Sequence, residues 1–395
     1  MEIRRITEQE FESSLELSQY AFLYKIGERE KELRRLNFAD EPVWGVFEEN
    51  ELCAQLMLLP FEVYIHGRRI EMGGIASVST WPEKRRQGMV SELLRRALEE
   101  MKDHGQLLSY LHPFSVSFYR KYGWELFTDY RKYSIPVDKL PSRQEVPGRV
   151  VRGIRDIDVM KTVYDQAITK YNGPLTRSGT WWEQRVLGPA PYTAVYYSAS
   201  NEPQGYVLYA IEDGRWITRE MFWLNEEARQ GLWTFIGNHD SRIKEVRWNA
   251  PADDPLSLLL DDPLVKQEAE PYFMARIVDA AAFVSSYPFV ATGEEKQAWT
   301  LRIEDRDAPW NAGFWNLTVQ PGGQASLESL PLPSGGDEEL VADICIDIGI
   351  LTSMLLGYRR PVLLQAYGLI ETSPQIAAVL ERLIPYGTCF LADHF

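Results

Sequence analysis

Arg85-Arg86-Gln87-Gly88-Met89-Val90 is the stretch of this chain whose residue types could do chemistry together. It lies between an alternating apolar run that ends at Thr80 and the series Val90, Leu93, Leu94, Ala97, Leu98 and Met101, whose spacing is one face of an amphipathic helix. A helix that opens directly after a glycine loop leaves its first amides pointing outward together, and its dipole adds partial positive charge. Gly88 lets the backbone approach an anion with no side chain in the way. Arg85 and Arg86 add full charges suited to a diphosphate or a ribose phosphate. The loop lacks the Lys-Ser/Thr ending of a triphosphate-binding loop, which argues against a nucleotide triphosphatase. A plain solvated basic run is the competing reading of the two arginines.

The elements that must position this loop follow from periodicity. Glu2 to Ile6 reads as a strand, and Leu15, Phe22 and Leu23 recur at helical spacing. Val43 to Phe47, Leu52 to Ile65 and Ile70 to Thr80 form a β-meander, with turns at 48–51 and 66–69. After the helix come a buried strand at Leu107 to Leu111, a short helix at Ser115 to Tyr122 and a final strand pair at Trp124 to Ile135. The order is β-α-β-β-β-α-β-α-β, a mixed α/β unit.

Pro and polar residues cluster at 139–148, which places a boundary there and a first domain at 1–147. A second, shorter unit over 148–285 repeats the pattern. Val151 to Ile154 is a strand and Ile157 to Tyr171 a helix. Tyr192 to Ser198, Gln204 to Ile211 and Trp216 to Leu224 form another meander, and a helix opens at Asn225. Arg229-Gln230-Gly231 echoes Arg86-Gln87-Gly88, a candidate internal repeat, although three shared residues also arise by chance; with Ala228 in place of Arg85 and bulky Leu232-Trp233 beside it, the second copy reads as a degenerate relic rather than a second active site. Residues 286–395 change character: strands at Trp299 to Ile303 and Phe314 to Val319, a loop at 331–337, helices at Ile344 to Leu356 and Ser373 to Ile384, and an apolar tail ending on Phe395.

Composition narrows the function classes. At 395 residues the chain exceeds a single core. A net charge of −15 argues against a nucleic-acid partner and suits a cationic amine, although it also serves plain solubility. Cys53, Cys345 and Cys389 are few and widely spaced, which implies no disulfide framework, and the five His residues show no metal-ligand spacing. With neither a signal-like start nor a membrane-length apolar run, a cytoplasmic address is expected.

Arg85-x-x-Gly88 in a strand-loop-helix setting, followed by Phe118-Tyr119-Arg120-Lys121-Tyr122-Gly123-Trp124, resembles the GNAT acetyltransferase superfamily, with Val90 where Gly or Ala is usual. Two such units, a sterol-carrier-like C-terminal domain and the terminal Phe395 together resemble the Eis (enhanced intracellular survival) acetyltransferases over the whole chain. Arg276-Ile-Val-Asp279 and Leu356-Gly357-Tyr358-Arg359 are similar to signatures of that group. The resemblance implies an acetyl-CoA-dependent N-acetyltransferase without a metal, acting on aminoglycoside, polyamine or lysine amines, and assembled as a hexamer.

It also implies roles for residues. Val78, Ser79 and Thr80 match a splayed strand whose amides align the pantetheine arm. Arg85, Arg86, Gln87, Gly88, Met89, Val90 and Ser91 match the diphosphate loop, and Phe114 and Ser115 line the arm. Tyr119 matches the general acid, a task that suits a phenol because its pKa lies near that of a thiol. The Phe395 carboxylate matches the general base, which requires the tail to fold back into the first domain. Tyr119 as a core aromatic and Phe395 as a frayed end are the structural alternatives. Two other classes fit parts of the chain: a lipid carrier, and an aminoacyl-tRNA-dependent peptidyl transferase, which needs a basic channel and no diphosphate loop. Tyr20 to Lys25 and His394 do not supply the acids that an aminoglycoside pocket calls for.

Overall fold

The computed structural model describes residues 1–38, 42–291, 293, 295–331 and 340–395; most of the loop expected at 331–337 lies outside them. The amino-terminal part carries β1 (Glu2–Arg5), α1 (Phe11–Phe22), α2 (Glu28–Asn37), β2 (Val43–Glu48), β3 (Glu51–Ile65), β4 (Arg68–Thr80), α3 (Met89–Asp103), β5 (Leu108–Leu111), α4 (Val116–Arg120), β6 (Glu125–Leu126) and β7 (Asp129–Pro136). Next come β8 (Arg149–Arg152), α5 (Ile157–Ala167), β9 (Tyr171–Asn172), α6 (Gly179–Trp181), β10 (Tyr192–Tyr197), β11 (Pro203–Glu212) and β12 (Arg215–Trp223). α7 (Glu226–Gly237), β13 (Glu245–Pro251), α8 (Leu256–Leu259), β14 (Lys266–Pro271) and β15 (Met274–Ile277) follow. The last part holds α9 (Ala280–Ser286), β16 (Gln297–Glu304), β17 (Gly313–Val319), β18 (Ala325–Ser329), β19 (Ile344–Asp347), α10 (Ile348–Leu355), α11 (Pro361–Ala366), β20 (Glu371–Thr372), α12 (Pro374–Leu383) and β21 (Thr388–Cys389).

Two sheets share one topology. The first runs β1-β2-β3-β4-β5-β15-β6, and the second runs β8-β10-β11-β12-β13-β7-β14. Each unit therefore lends its last strand to the other: β15 sits between β5 and β6, and β7 sits between β13 and β14. This corrects the sequence expectation of a final strand pair at 124–135 within the first unit. An alternating strand buries its apolar face equally well in either sheet, so local pattern does not say which one it joins. The exchange also establishes the internal repeat at the level of fold.

α3 forms because Leu93, Leu94, Ala97, Leu98 and Met101 fall on one face, and each is fully buried over the first sheet. A second correction concerns the helix expected over 344–356. Residues 344–347 are a strand parallel to β16, with Ile344 and Ile346 buried. The helix starts only at Ile348, because the Asp347 side chain accepts the Gly349 amide at 2.7 Å and caps it.

His66 stands where all three parts meet. Its backbone N–H donates to Asn172 at 2.7 Å, and its Nε2 lies 3.0 Å from the Tyr287 hydroxyl and 3.3 Å from the Leu355 carbonyl oxygen. Burial pushes its pKa down from 6.5 to about 4. The unfolded chain therefore takes up a proton near pH 6.5 that the folded chain refuses until about pH 4. Stability from this site is present above pH 6.5 and declines as pH falls to about 4, by an amount of order 3 kcal/mol. Denaturant unfolding of wild type between pH 7 and pH 4.5 should show that loss, and a His66→Gln variant should show a shallower slope.

Candidate active site

β4 and β5 run parallel from Met72↔Leu108 to Ile75↔Leu111 and then separate. Beyond that point β4 keeps its ladder to β3 only, with Gln55 opposite Ser79 and Ala54 opposite Thr80. A bulge accompanies the change, and Ser77 has φ of 52°. The edge of Val78, Ser79 and Thr80 that faces β5 is thus open, and the buried Thr80 hydroxyl has no hydrogen-bond partner.

The loop after β4 is built for access. Arg85, Arg86, Gln87 and Gly88 are exposed. Lys84 is engaged by Glu48 at 2.6 Å, whereas Arg85 and Arg86 make no ion pair among the described residues. Gly88 has φ of 83°, a value that favours glycine, and a Cβ added there would meet nothing within 4 Å. α3 has no side-chain cap at its N-terminus, so its first amides face outward without a protein partner. Met89 is buried and Val90 packs on the same core, so only their backbone can face a ligand. The Ser91 hydroxyl lies 2.6 Å from that of Tyr122, which ties the start of α3 to the chain after α4.

On the far side of the gap, Ser115 caps α4 by position, and Phe114 stands 69% exposed against Phe118 and Tyr119. Tyr119 is buried, and burial alone pushes its phenol pKa up. A hydroxyl in that environment keeps its proton at neutral pH, but burial moves it away from the thiol-like pKa expected from the sequence. Open amides, two free guanidiniums and a groove between parting strands fit a ligand with a diphosphate head and an extended arm.

The tail reaches the point where the strands part. The Phe395 ring packs 4.9 Å from Phe61 and 5.0 Å from Phe273, and it lies against Gly74 of β4. His394 sits 4.8 Å from His112, the residue that follows β5. Burial pushes both imidazoles down in pKa, aided by their mutual repulsion at His112 and by Arg185 at His394. His112 carries no sequence signal of its own; only the strand end beside it marks it.

A buried clamp holds the tail. Arg177 donates from Nε to Asp393 at 2.9 Å and from Nη1 and Nη2 to Glu220 at 2.9 and 2.5 Å. Trp181 Nε1 donates to Asp393 at 2.8 Å, and the Tyr272 and Tyr130 hydroxyls donate to the Asp393 and Leu391 carbonyls at 3.0 and 2.7 Å. Burial opposes the Arg177 charge, but the two carboxylates outweigh it and hold the guanidinium protonated.

The second unit offers no equivalent cradle. Arg229, Gln230 and Gly231 lie inside α7 rather than ahead of it, and a Cβ on Gly231 would meet Tyr196 at 2.4 Å. Asn225 caps α7 by accepting the Ala228 amide at 2.9 Å, and Arg229 is turned onto Glu226 at 2.6 Å. The tripeptide echo in the sequence is therefore not a structural equivalence.

Comparison with known proteins identifies the domains. Models of the acetyltransferase (GNAT) domain match residues 2–127 and 173–277, and a model of the sterol carrier protein domain matches 280–392. A probable N-acyltransferase from Enterococcus faecalis is 30% identical, with a TM-score of 0.92 over 100% of this chain and 99% of that one. An uncharacterized N-acetyltransferase of Streptomyces avermitilis is 26% identical over 97% of this chain and 96% of its own length. Eis1 from Mycobacterium abscessus shares the fold, at 20% identity and a TM-score of 0.81 over 100% of both chains. Among the described residues no helix is long and apolar enough to cross a membrane, and no His/Cys/Asp/Glu group could hold a metal ion.

Replacing Arg177 by Leu strands two buried carboxylates and should cost about 3–5 kcal/mol. Chemical denaturation measures that loss, and Arg177→Lys should recover part of it.

Proposed function

We propose, from the premise that this chain belongs to the GNAT acetyltransferases and ends in a sterol-carrier-like domain, that it acetylates a primary amine presented at the tip of its own tail. What supports the reading is that the uncapped start of α3, the β4 strand with its open edge and the buried Tyr119 phenol belong to elements packed on one hydrophobic cluster. Acetyl-CoA, when bound, supplies an acetyl group already activated as a thioester.

The chain's own groups do the rest. Amides of Gly88, Met89, Val90 and Ser91, with Arg85, Arg86 and Gln87 beside them, hold the diphosphate. The open edge of Val78, Ser79 and Thr80 aligns the arm and polarises the carbonyl to be attacked, and Phe114 and Ser115 close its other side. Tyr119 holds a proton at its hydroxyl for the leaving sulfur. The Phe395 carboxylate accepts the proton that the amine must lose, directly or through water. The neutral imidazoles of His112 and His394, paired at the same mouth, support a second reading in which one of them is the base.

The acceptor in this reading is an amine of the aminoglycoside, polyamine or lysine type. Exposed Val362, Leu363, Tyr367 and Leu369 on and after α11 support assembly into the homo-oligomer that the resemblance implies.

Two expected outcomes test the roles. Tyr119→Phe should lower kcat about a hundredfold with little change in acetyl-CoA binding, followed by thiol release and calorimetry. A single Gly appended after Phe395 displaces the carboxylate, and a similar fall in kcat is expected. An unchanged rate there, with a loss in His112→Gln, would move the base to the imidazole. For pH, a phenol raised above its usual 10 and imidazoles lowered below 6.5 leave both groups in their working forms between those limits. The kcat/KM profile should therefore be flat from about pH 7 to about pH 9.5.

A further inference from the structure

β12 and β13 repeat in the second sheet what β4 and β5 do in the first. They run parallel from Arg215↔Glu245 to Thr218↔Trp248 and then separate. The first gap receives Phe395 at its apex. The second stays open as a cavity of about 490 Å³, with Asp393 and His394 of the tail forming one wall. The tail thus runs from one gap to the other, and Trp181 lies between them, with its ring 6.5 Å from that of Phe395 and its edge in the cavity.

The lining of this cavity is richer in arginine than in acid. Arg177, Arg185, Arg219 and Arg247 line it with Glu220 and Asp393, while Glu212 and Glu245 pair with two of the arginines from outside the lining. Both carboxylates are taken by Arg177. Arg219 and Arg247 lean on Glu212 and Glu245 at 3.0 and 2.7 Å, in exposed pairs that solvent weakens. Arg185 makes no ion pair among the described residues. Its guanidinium stands 5.5 Å from the centre of the Trp181 ring, on the π-helical turn Trp182–Leu187. Arg155 fixes that turn by donating to the Ala190 carbonyl at 3.0 Å and to that of Leu187. Arg185 is exposed, and a guanidinium set at an indole without a counter-ion, in the same lining as His394 of the tail, suits an oxyanion on the substrate. A polyamine would meet like charge here.

We propose that this cavity holds the anionic end of the acceptor. The acceptor is an amine that also bears a carboxylate or a phosphate, with the oxyanion on Arg185, the stem along Trp181 and the amine past His394 at the tail tip. This rests on the acetyl-transfer reading above and narrows its substrate class.

The test is steady-state thiol release from acetyl-CoA by the full chain with matched amines: lysine against 1,5-diaminopentane, and O-phosphoethanolamine against ethanolamine. At least one anionic member should exceed its neutral or cationic partner about tenfold in kcat/KM, and the pair with the larger ratio names the oxyanion. Arg185→Gln should erase most of that advantage through KM rather than kcat. Ratios at or below one in both pairs, or a ratio that Arg185→Gln leaves intact, would overturn the proposal. Turnover of 1,5-diaminopentane alone would overturn it while keeping the acetyl-transfer reading. No turnover with any of the four amines would overturn it, and a lack of acetyl-CoA binding besides would end the acetyl-transfer reading too.

Discussion

The first-turn amides of α3 have no side-chain cap, and they open beside two exposed arginines. A helix start normally recruits a Ser, Asp or Asn cap, as α7 does with Asn225 and α10 with Asp347. α3 begins on Gly88 instead, in a left-handed conformation with open space above it. The fully buried face from Leu93 to Met101 anchors the helix well enough to forgo a cap. The exposed end is left with partial positive charge, reinforced by two unpaired arginines. The contrast with α7 inside one chain shows that two units of the same topology open their corresponding helices differently.

Reciprocal exchange of β7 and β15 joins the two units through their sheets rather than through side chains alone. It also brings the gaps between parting strands into reach of one short tail. The tail needs firm hold, since chain ends fray unless tied down. β21 pairs with β9, the Phe390 amide donates to the Asn172 carbonyl at 2.9 Å, and the Arg177 clamp takes Asp393. A buried arginine between two carboxylates specifies position more than it adds stability. Here the position it specifies is that of Phe395.

The elements of the first unit were legible because they are local: a meander, a basic glycine loop and a helix face occupy consecutive residues, and Val78, Met89, Val90 and Tyr119 share one hydrophobic cluster. The division into mixed α/β units with a different last part was legible for the same reason. Long-range features were not. β7 and β15 look alike to any local pattern, whichever sheet they enter. The 344–347 strand was hidden because an apolar run next to a helix reads as more helix until a cap residue such as Asp347 is recognised. Arg177 and Asp393 are 216 residues apart, and their pairing leaves no trace in spacing. The Arg229-Gln230-Gly231 echo pointed to a repeat that the fold bears out, but identity of three residues says nothing about where a helix starts.

Hydrogen–deuterium exchange with and without coenzyme A tests the central claim most directly, since it reads backbone amides and needs no acceptor. The account predicts slowed exchange over residues 77–80 and 86–91 on adding coenzyme A, with residues 225–231 at the start of α7 unaffected. Protection at 225–231 instead, or none across 86–91, would contradict it.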